Sequence, residues 1–205
     1  MNYSQAEQDL FVLNFLNYKK KGYFLDIGSH DGISFSNTYL LEKEYNWNGL
    51  CVELNNDLFC KLSINRSCYK SNKVINTYNG FCEFEENDFI GKINKNGINK
   101  ECITIRDLLV NNNVLKLIDY FSLDIEGFEY EVLNSFLFNE YSFKSLTVEH
   151  NKYNCGEEIK NKIYKLLIKN NYIRVKEDVL VNNTLLFEDW YIHKDYLKQY
   201  ENITL

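Results

Sequence analysis

The sequence predicts a doubly wound α/β domain with a mostly parallel sheet, on three observations. Short apolar runs of strand length alternate with stretches of helical spacing, which indicates βαβ units with right-handed crossovers. Polar residues follow the ends of five successive strand-like runs. The 205 residues, 45% hydrophobic and 25% charged, have an ordinary globular composition and a length that fits one domain spanning residues 1–205.

The first half of the chain predicts three strand and helix pairs. Ser4 and Glu7 have the spacing of a capping box, and the apolar residues after them suit a helix within residues 1–20 that covers one side of the site. Further along, strands are predicted at 23–27, 49–54 and 74–78, and helices from the loop after Gly32 to about Tyr45 and at 56–64.

The second half begins with a stretch in which the pattern loosens. Residues 80–105 carry Gly91 and Gly97 among polar residues, which indicates a hairpin or a long excursion near the site. The remaining segments predict strands at 118–123 and 146–148, helices at 129–138 and 157–170, and two closing strands in YIRVKE and TLLFEDWYI.

Composition and charge exclude several classes of protein. The net charge is −6 and no long basic run is present, so nucleic acid is not expected as a partner. The early lysines follow the first apolar stretch instead of preceding it, which is the wrong order for a secretory signal, and no apolar run is long enough to span a membrane. A soluble, cytoplasmic protein is expected, with its six scattered cysteines reduced and no zinc site.

The polar residues after the strands predict where a ligand binds. In a doubly wound sheet, ligands lie at the carboxyl ends of the strands where the strand order reverses. We therefore expect one cleft assembled from five strand ends, namely 26–32, Glu53, Asn79, 124–126 and 149–151.

The loop DIGSHDG indicates which cofactor fits this cleft. A nicotinamide fingerprint needs a middle glycine, but here His30 stands between Gly28 and Gly32, so a dehydrogenase is not expected. Asp26 also suits a cationic ligand better than a diphosphate. S-adenosylmethionine carries a sulfonium and an ammonium, and Glu53 stands about 20 residues beyond the loop, where an acidic residue binds ribose in such folds.

Four motifs together carry a resemblance to a known family. DIGSHDG, SNT followed by WNGLCVEL, SLDIEGFE and VEHN occur in this order over roughly residues 4–175. With them, the chain resembles the FkbM family of S-adenosylmethionine-dependent methyltransferases. The resemblance implies a class I (Rossmann-like) methyltransferase fold, with helices on both faces of a seven-stranded, mostly parallel sheet whose last strand is antiparallel.

The resemblance also implies roles for individual residues. Asp26, Gly28, Asp31 and Gly32 would shape the methionine end of the cofactor site, Glu53 would bind ribose, and the Asn79 region would lie near adenine. The complete set expected at the cofactor is Asp26, Gly28, Ser29, His30, Asp31, Gly32, Asn37, Glu53, Leu54, Asn79, Gly80 and Asp124. Ser36, Asn37 and Thr38 are expected just inside the following helix, facing the ligands or capping the helix.

Methyl transfer to a hydroxyl needs a group that takes the proton. The candidates are Asp124, Glu126 and His150, with a structural role at a helix start or strand end as the alternative for each. For Glu129 that structural role is the expectation. Asp124, Glu126 and Glu149 could instead hold a divalent cation, Mg²⁺ or Mn²⁺, which would orient acceptor hydroxyls.

The resemblance implies O-methylation of a hydroxyl, most simply on a sugar of a glycan or glycoconjugate. Acceptor specificity is expected to reside in residues 80–105 and in the tail after about residue 175. The alternatives are a non-sugar small-molecule acceptor and a non-catalytic interaction module that keeps the fold. Action beside a glycosyltransferase is compatible with the sequence, which leaves the oligomeric state open.

Overall fold

The computed structural model is a layered α/β domain with two sheets. It describes residues 3–87, 90–93, 98–150, 152, 156–181 and 184–204. Of the residues named above, Asn151 and Gly97 lie outside these ranges. The described helices include none that is long and apolar enough to cross a membrane.

The elements follow one another along the chain with few long connections. In order they are α1 (Gln8–Phe15), β1 (Tyr23–Ile27), α2 (Tyr39–Tyr45), β2 (Asn48–Val52), α3 (Asn56–Asn65), β3 (Tyr69–Ser71), β4 (Val74–Asn76), β5 (Gly80–Asn87), β6 (Ile90–Ile93), β7 (Ile98–Thr104), α4 (Ile105–Asn111), β8 (Leu117–Leu123), α5 (Glu129–Asn134), β9 (Ser142–Glu149), α6 (Glu157–Lys169), β10 (Tyr172–Val181), β11 (Leu185–His193), a 3₁₀ turn (Lys194–Tyr196) and α7 (Leu197–Thr204).

The main sheet has seven strands in the order β10-β11-β9-β8-β1-β2-β3. Strand β11 runs antiparallel to both neighbours, and the pairs from β9 to β3 are parallel. The strand order reverses between β1 and β8, so this is the switch point at which a ligand is expected. The predicted fold class is confirmed.

Helices cover both faces of the main sheet because side chains alternate along each buried strand. On one face, Leu25 and Phe121 belong to a core with α4, α5 and α6. On the other face, Phe24 and Tyr120 pack in a second core with α1, α2, α3 and α7. We call these the α6 face and the α1 face.

The strand predicted at 74–78 is the main departure from the expected topology. Val74–Asn76 pairs with β7 in a separate four-stranded sheet of order β4-β7-β5-β6. The third strand of the main sheet is Tyr69–Ser71, a three-residue edge strand whose mixed exposed and buried pattern offers no apolar run to detect. The excursion predicted at 80–105 is the antiparallel part of the small sheet.

The helix boundaries correct three local predictions. The capping box does not form: Glu7 precedes α1 with φ +66° and no side-chain cap, and Ser4 Oγ donates to Asp9 Oδ1 at 2.6 Å instead. Residues 36–38 precede α2, with Thr38 at its N-cap. Helix α5 ends at Asn134, four residues before the predicted end.

Candidate functional site

Gly28 lies where β1 and β8 approach most closely. Its φ is +95°, and a Cβ there would stand 1.7 Å from the carbonyl oxygen of Asp124. The Asp124 N–H in turn donates to Ile27 O at 3.0 Å. Any side chain at residue 28 would push the two strand ends apart, so this glycine brings the DIGSHDG loop against Asp124.

Glu53 follows β2 and fixes the turn of the loop. Its Oε2 accepts the His30 N–H at 2.8 Å and its Oε1 accepts the Asn55 N–H at 2.8 Å. Burial raises the pKa of Glu53 against the lowering effect of these two hydrogen bonds. The structure thus brings Glu53, the residue expected to bind ribose, against the backbone of His30 in the predicted cofactor loop.

Asp26 is buried on the α1 face and already has protein partners. Thr38 Oγ1 donates to its Oδ2 at 2.5 Å, and Arg66 Nη2 donates to the same hydroxyl at 3.0 Å. Burial raises the pKa of Asp26 to about 6, opposed by Thr38 and the Arg66 charge. The carboxylate therefore joins β1 to the start of α2, and Ser29 Oγ donates to the carbonyl oxygen of Asp26 at 2.9 Å.

Asp31 and Gly32 shape the turn after His30. Asp31 Oδ1 accepts the backbone N–H groups of Ile33 and Ser34 at 2.9 and 2.7 Å, an Asx turn. A Cβ on Gly32 would stand 2.7 Å from atoms of Leu62 and Arg66 in and after α3. Both residues hold the loop in shape, whatever contact they make with a ligand.

Asn37 extends the loop across the switch point. Its Nδ2 donates to Ser122 Oγ at 2.9 Å, and Ser122 pairs with Asp26 across β8 and β1. Asn37 Oδ1 is buried and accepts no hydrogen bond within the described residues. Asp124 follows Ser122 by two residues, so the Asn37 amide lies beside the predicted catalytic position.

Three predicted cofactor residues lie further along, toward the small sheet. Asn79 Nδ2 donates to Asp107 Oδ2 at 2.5 Å and its Oδ1 accepts Thr104 N at 2.8 Å, so its exposed side chain is tied to the start of α4. Gly80 begins β5 beside it with φ +140°. Leu54, directly after Glu53, packs its side chain between the α6-face core and the small sheet.

The most unusual feature at the switch point is a group of three acidic residues. Carboxylate oxygens of Asp124, Glu126 and Glu149, hereafter the site carboxylates, lie within 4.8 Å of one another. Within the described residues, no lysine, arginine or histidine forms an ion pair with Asp124 or Glu149. Glu149 is 1% exposed, and its Oε2 accepts no hydrogen bond from that same part of the chain.

This arrangement strongly disfavours the fully ionised state. Burial raises the pKa of Asp124, and burial together with the neighbouring Asp124 raises the pKa of Glu149 well above its usual range. Like charges this close cannot all ionise in a buried site unless a cation joins them. The site carboxylates are therefore suited to accepting a proton or holding a cation.

Glu188 is a fourth acidic residue on the same face, and the sequence reasoning missed it. It pairs with Glu149 across β9 and β11, and Trp190 Nε1 donates to its Oε1 at 2.5 Å. Burial raises the pKa of Glu188 to about 8, with the charge of Asp124 acting in the same direction. The two acidic residues inside the apolar run LLFEDWYI, Glu188 and Asp189, were the available signal, because a buried strand rarely carries such residues.

Glu129 has the structural role expected for it. Its Oε1 accepts the N–H groups of Ile125 and Gly127 at 2.9 and 3.0 Å. Burial raises its pKa to about 7, although these hydrogen bonds favour the ionised form. Glu129 thereby holds the tight turn in which Glu126 has φ +60° and Gly127 has φ +110°.

The structure places His150 away from the site carboxylates. Val148 pairs with Asp189 and Glu149 with Glu188, so alternation puts Asp189 on the α6 face and Glu188 on the α1 face. The His150 Nε2 atom lies 3.4 Å from Asp189 Oδ1 and 3.5 Å from Asp178 Oδ1. The ring therefore joins the end of β9 to β10 and β11.

Cations surround this second group of residues. Lys160 Nζ lies 2.7 Å and Lys152 Nζ 3.2 Å from Asp178, and Arg174 Nη1 lies 3.0 Å from Asp189. We call His150, Asp178 and Asp189 with these three residues the bridged cluster. Although His150, Asp178 and Asp189 have the spacing of a metal site, the neighbouring basic groups already balance their carboxylates.

The site joins a glycine-turned loop, an acidic residue after the second strand and carboxylates at the switch point, as in class I methyltransferases. A family model for the methyltransferase FkbM domain matches residues 26–173. The chain belongs to the FkbM methyltransferase family.

Solved structures share the fold at low sequence identity. The methyltransferase domain of METTL16 aligns with a TM-score of 0.51 and 11% identity, over 91% of this chain and 66% of that one. A structure described as an rRNA methylase from Clostridium thermocellum gives a TM-score of 0.50 and 10% identity, over 94% of this chain and 97% of that one. A comparison with curated protein sequences finds no match.

Proposed function

We propose that the protein is an S-adenosylmethionine-dependent O-methyltransferase that acts on a hydroxyl of a sugar in a glycan or glycoconjugate. The observation that carries the proposal is the group of site carboxylates beside the loop fixed by Glu53. Family membership supports methyl transfer, and a buried acidic group beside the loop supports a hydroxyl acceptor, because such an acceptor must lose a proton.

The residues at the switch point fit the cofactor. Glu53 keeps lone pairs on both oxygens beyond its two backbone hydrogen bonds, so it can accept the two ribose hydroxyls. Asp124 and the acidic surroundings would favour the positively charged methionine end. When bound, S-adenosylmethionine supplies a methyl group on a sulfonium centre.

The protein's own contribution is to orient the acceptor and to take its proton. Alignment of the acceptor oxygen with the methyl group can contribute roughly 7–11 kcal/mol. As the new bond forms, the hydroxyl proton passes to Asp124, with Glu149 sharing the proton across their contact. Burial raises the pKa values of both groups, which makes them stronger bases than an exposed carboxylate and suits this role.

The alternative to proton transfer at Asp124 is a divalent cation, Mg²⁺ or Mn²⁺, held by the site carboxylates. The site carboxylates offer the hard oxygen ligands that such ions prefer. One of these oxygens, Glu149 Oε2, is buried and accepts no hydrogen bond within the described residues. The ion would orient two acceptor hydroxyls and lower the pKa of one. We expect Mn²⁺ to raise the melting temperature of the chelator-treated protein. The Glu149→Gln variant should not show that rise. Full methyltransferase activity in the presence of chelator would contradict the ion's role.

The first experiment is a thermal-shift titration with S-adenosylmethionine and S-adenosylhomocysteine. A ligand that binds only the folded state raises its melting temperature in a concentration-dependent way. Glu53→Gln is expected to weaken the binding of both ligands about tenfold. This factor corresponds to about 1.4 kcal/mol, which is typical for the loss of a charged hydrogen-bond acceptor. Glu140→Gln, on an exposed glutamate beside Lys116, is the matched control and should bind normally.

The outcomes separate the proposal from its alternatives. Folded protein that shows no shift with either ligand contradicts the proposal. Binding without turnover over a broad acceptor panel supports a non-catalytic interaction module. Turnover on phenols or other non-sugar hydroxyls, with none on sugars, assigns a small-molecule acceptor.

A further inference from the structure

The loop between Gly32 and α2 carries an exposed apolar ring, that of Phe35. The Phe35 side chain is 59% exposed, and its backbone has φ +59°, in the left-handed region. That region is disfavoured for a bulky aromatic residue and costs about 1 kcal/mol or more, whereas glycine or asparagine adopts it readily. The position therefore bears backbone strain while the ring gains little from burial.

The loop around Phe35 is fixed on both sides, so the ring is held in place. Before it, His30 N–H is bonded to Glu53, and Arg66 Nη1 donates to Gly32 O at 3.3 Å. After it, Ser36 Oγ accepts from Arg66 at 3.3 Å and Asn37 is bonded to Ser122.

The same contacts locate the ring at the mouth of the site. The His30 and Phe35 rings meet edge to face with centroids 5.8 Å apart, which places Phe35 beside the Glu53 turn. Two residues later, Asn37 reaches Ser122 next to Asp124. Phe35 thus belongs to a loop segment that is held at His30 by Glu53 and at Asn37 by Ser122, and its side chain is exposed.

We propose that Phe35 is a specificity-determining residue that stacks on the apolar face of the acceptor sugar. This inference rests on the proposed function and names a contact for its acceptor. A pyranose ring presents C–H groups on one face and hydroxyls at its edge. Stacking that face on Phe35 would leave the edge hydroxyls free to reach the site carboxylates.

The test compares Phe35→Asn with Phe35→Tyr. Asparagine relieves the backbone conformation and removes the ring, while tyrosine keeps a ring. The acceptor is a methyl glycoside that the wild type methylates, found by screening a panel of hexosides and 6-deoxyhexosides. With this acceptor, Phe35→Asn should raise the KM about three- to tenfold and leave kcat nearly unchanged. Phe35→Tyr should stay near the wild-type KM, and Tyr69→Asn, on a tyrosine of the edge strand β3 that is 58% exposed, is the matched control.

Two further measurements keep the inference falsifiable. The melting temperature of ligand-free Phe35→Asn should equal or exceed that of the wild type, and its S-adenosylhomocysteine affinity should be unchanged. A drop of more than about 4 °C would make the ring part of the fold and overturn the inference. A parallel loss of S-adenosylhomocysteine affinity, or an unchanged acceptor KM, would overturn it as well.

The same data distinguish this inference from the proposed function. If the wild type binds S-adenosylhomocysteine but methylates no glycoside in the panel, the sugar acceptor is wrong and the stacking contact is wrong with it. If the wild type methylates a glycoside and Phe35→Asn does so with the same KM, the function stands and only the inference fails.

Discussion

Two groups of acidic residues lie at the end of β9, one on each face of the sheet. The site carboxylates include Glu149 on the α1 face, and the bridged cluster begins at the next residue, His150, on the α6 face. In each group, three possible metal-ligand atoms lie within 4.8 Å of one another: oxygens of the three site carboxylates, and atoms of His150, Asp178 and Asp189 in the bridged cluster. Their difference is in the charges that surround them.

The bridged cluster is balanced by the protein itself. Although burial opposes it, the hydrogen bonds and charges of His150 and Arg174 keep the pKa of Asp189 below its usual value. Lys160 and Lys152 do the same for Asp178. Within the described residues, no basic side chain pairs with Asp124 or Glu149, and burial raises the pKa values of both groups.

This comparison separates a stabilising role from a functional one. A buried acidic group with its own basic partners is satisfied in the folded state and needs nothing from outside. A buried acidic group without them destabilises the folded state until a proton, an ion or a substrate compensates it. We therefore expect the two groups to respond in opposite ways to substitution.

The largest expected effect is on catalysis. Asp124→Asn removes the proposed proton acceptor with little change in shape and should lower kcat by about 10²- to 10⁴-fold. Binding of S-adenosylhomocysteine, read as a thermal shift, should persist and show that the variant is folded. Asp195→Asn, on an exposed aspartate, is the control, and an Asp124→Asn enzyme with kcat within threefold of wild type would remove Asp124 from the reaction.

The second effect is on stability and has opposite signs in the two groups. Asp189→Asn leaves His150 and Arg174 without a buried charge partner and should lower the free energy of unfolding by about 3 kcal/mol. Glu149→Gln relieves repulsion with Asp124 and should leave that free energy unchanged or raise it. Urea denaturation with an unchanged slope measures both.

The Asp189→Asn variant, assayed for kcat as well as for stability, also tests the role of His150. If Asp189→Asn is destabilised but retains wild-type kcat when folded, the ring serves to join β9 to β10 and β11. If Asp189→Asn instead loses as much kcat as Asp124→Asn while its own free energy of unfolding is unchanged, His150 takes part in proton transfer, as the sequence alone suggested.

The sequence predicted the parts of the fold that depend on local pattern. The apolar run YFLDI ends at the glycine loop, and the run LIDYFSL ends at Asp124, so both central strands were detectable. The three-residue edge strand β3 has no such run, and its place depends on pairing with β2. The family resemblance implied that the Asn79 region lies near adenine, and the structure adds the hydrogen-bond partners of Asn79, which come from β7 and α4.

The sequence predicted which acidic residues lie at the ends of the parallel strands, but not which face of the sheet each side chain takes. Asp124, Glu126 and Glu149 share one edge because parallel strands end together. Which face a side chain takes depends on register across strands, and that register separates His150 from Glu149 and adds Glu188. Asp178, Asp189 and Lys160 are far from His150 in sequence, so the balance of charge was visible only in the folded chain.

The smallest expected effect is on the pH dependence of stability. Burial raises the pKa of Glu188 to about 8, the charges of Asp124 and Asp189 act in the same direction, and hydrogen bonds from Trp190 and Gln8 oppose the rise. Because the folded state binds this proton more tightly than the unfolded state, its contribution is complete below about pH 4.5 and is lost as pH rises through about 8. Asp178 and Asp189 in the bridged cluster have the opposite sign, since their lowered pKa values contribute stability that is lost as pH falls below about 4.

Urea denaturation at pH values from 5 to 8.5 measures the contribution of Glu188 to the pH dependence of stability. Glu188→Gln should flatten the decline in unfolding free energy by up to about 1.4 kcal/mol per pH unit, the limit for one proton. Glu140→Gln, on the exposed glutamate, should keep the wild-type slope. A wild-type protein whose stability rises over this range, or a Glu188→Gln variant with the same slope, would mean that Glu188 is ionised at neutral pH and that a cation already balances the α1 face.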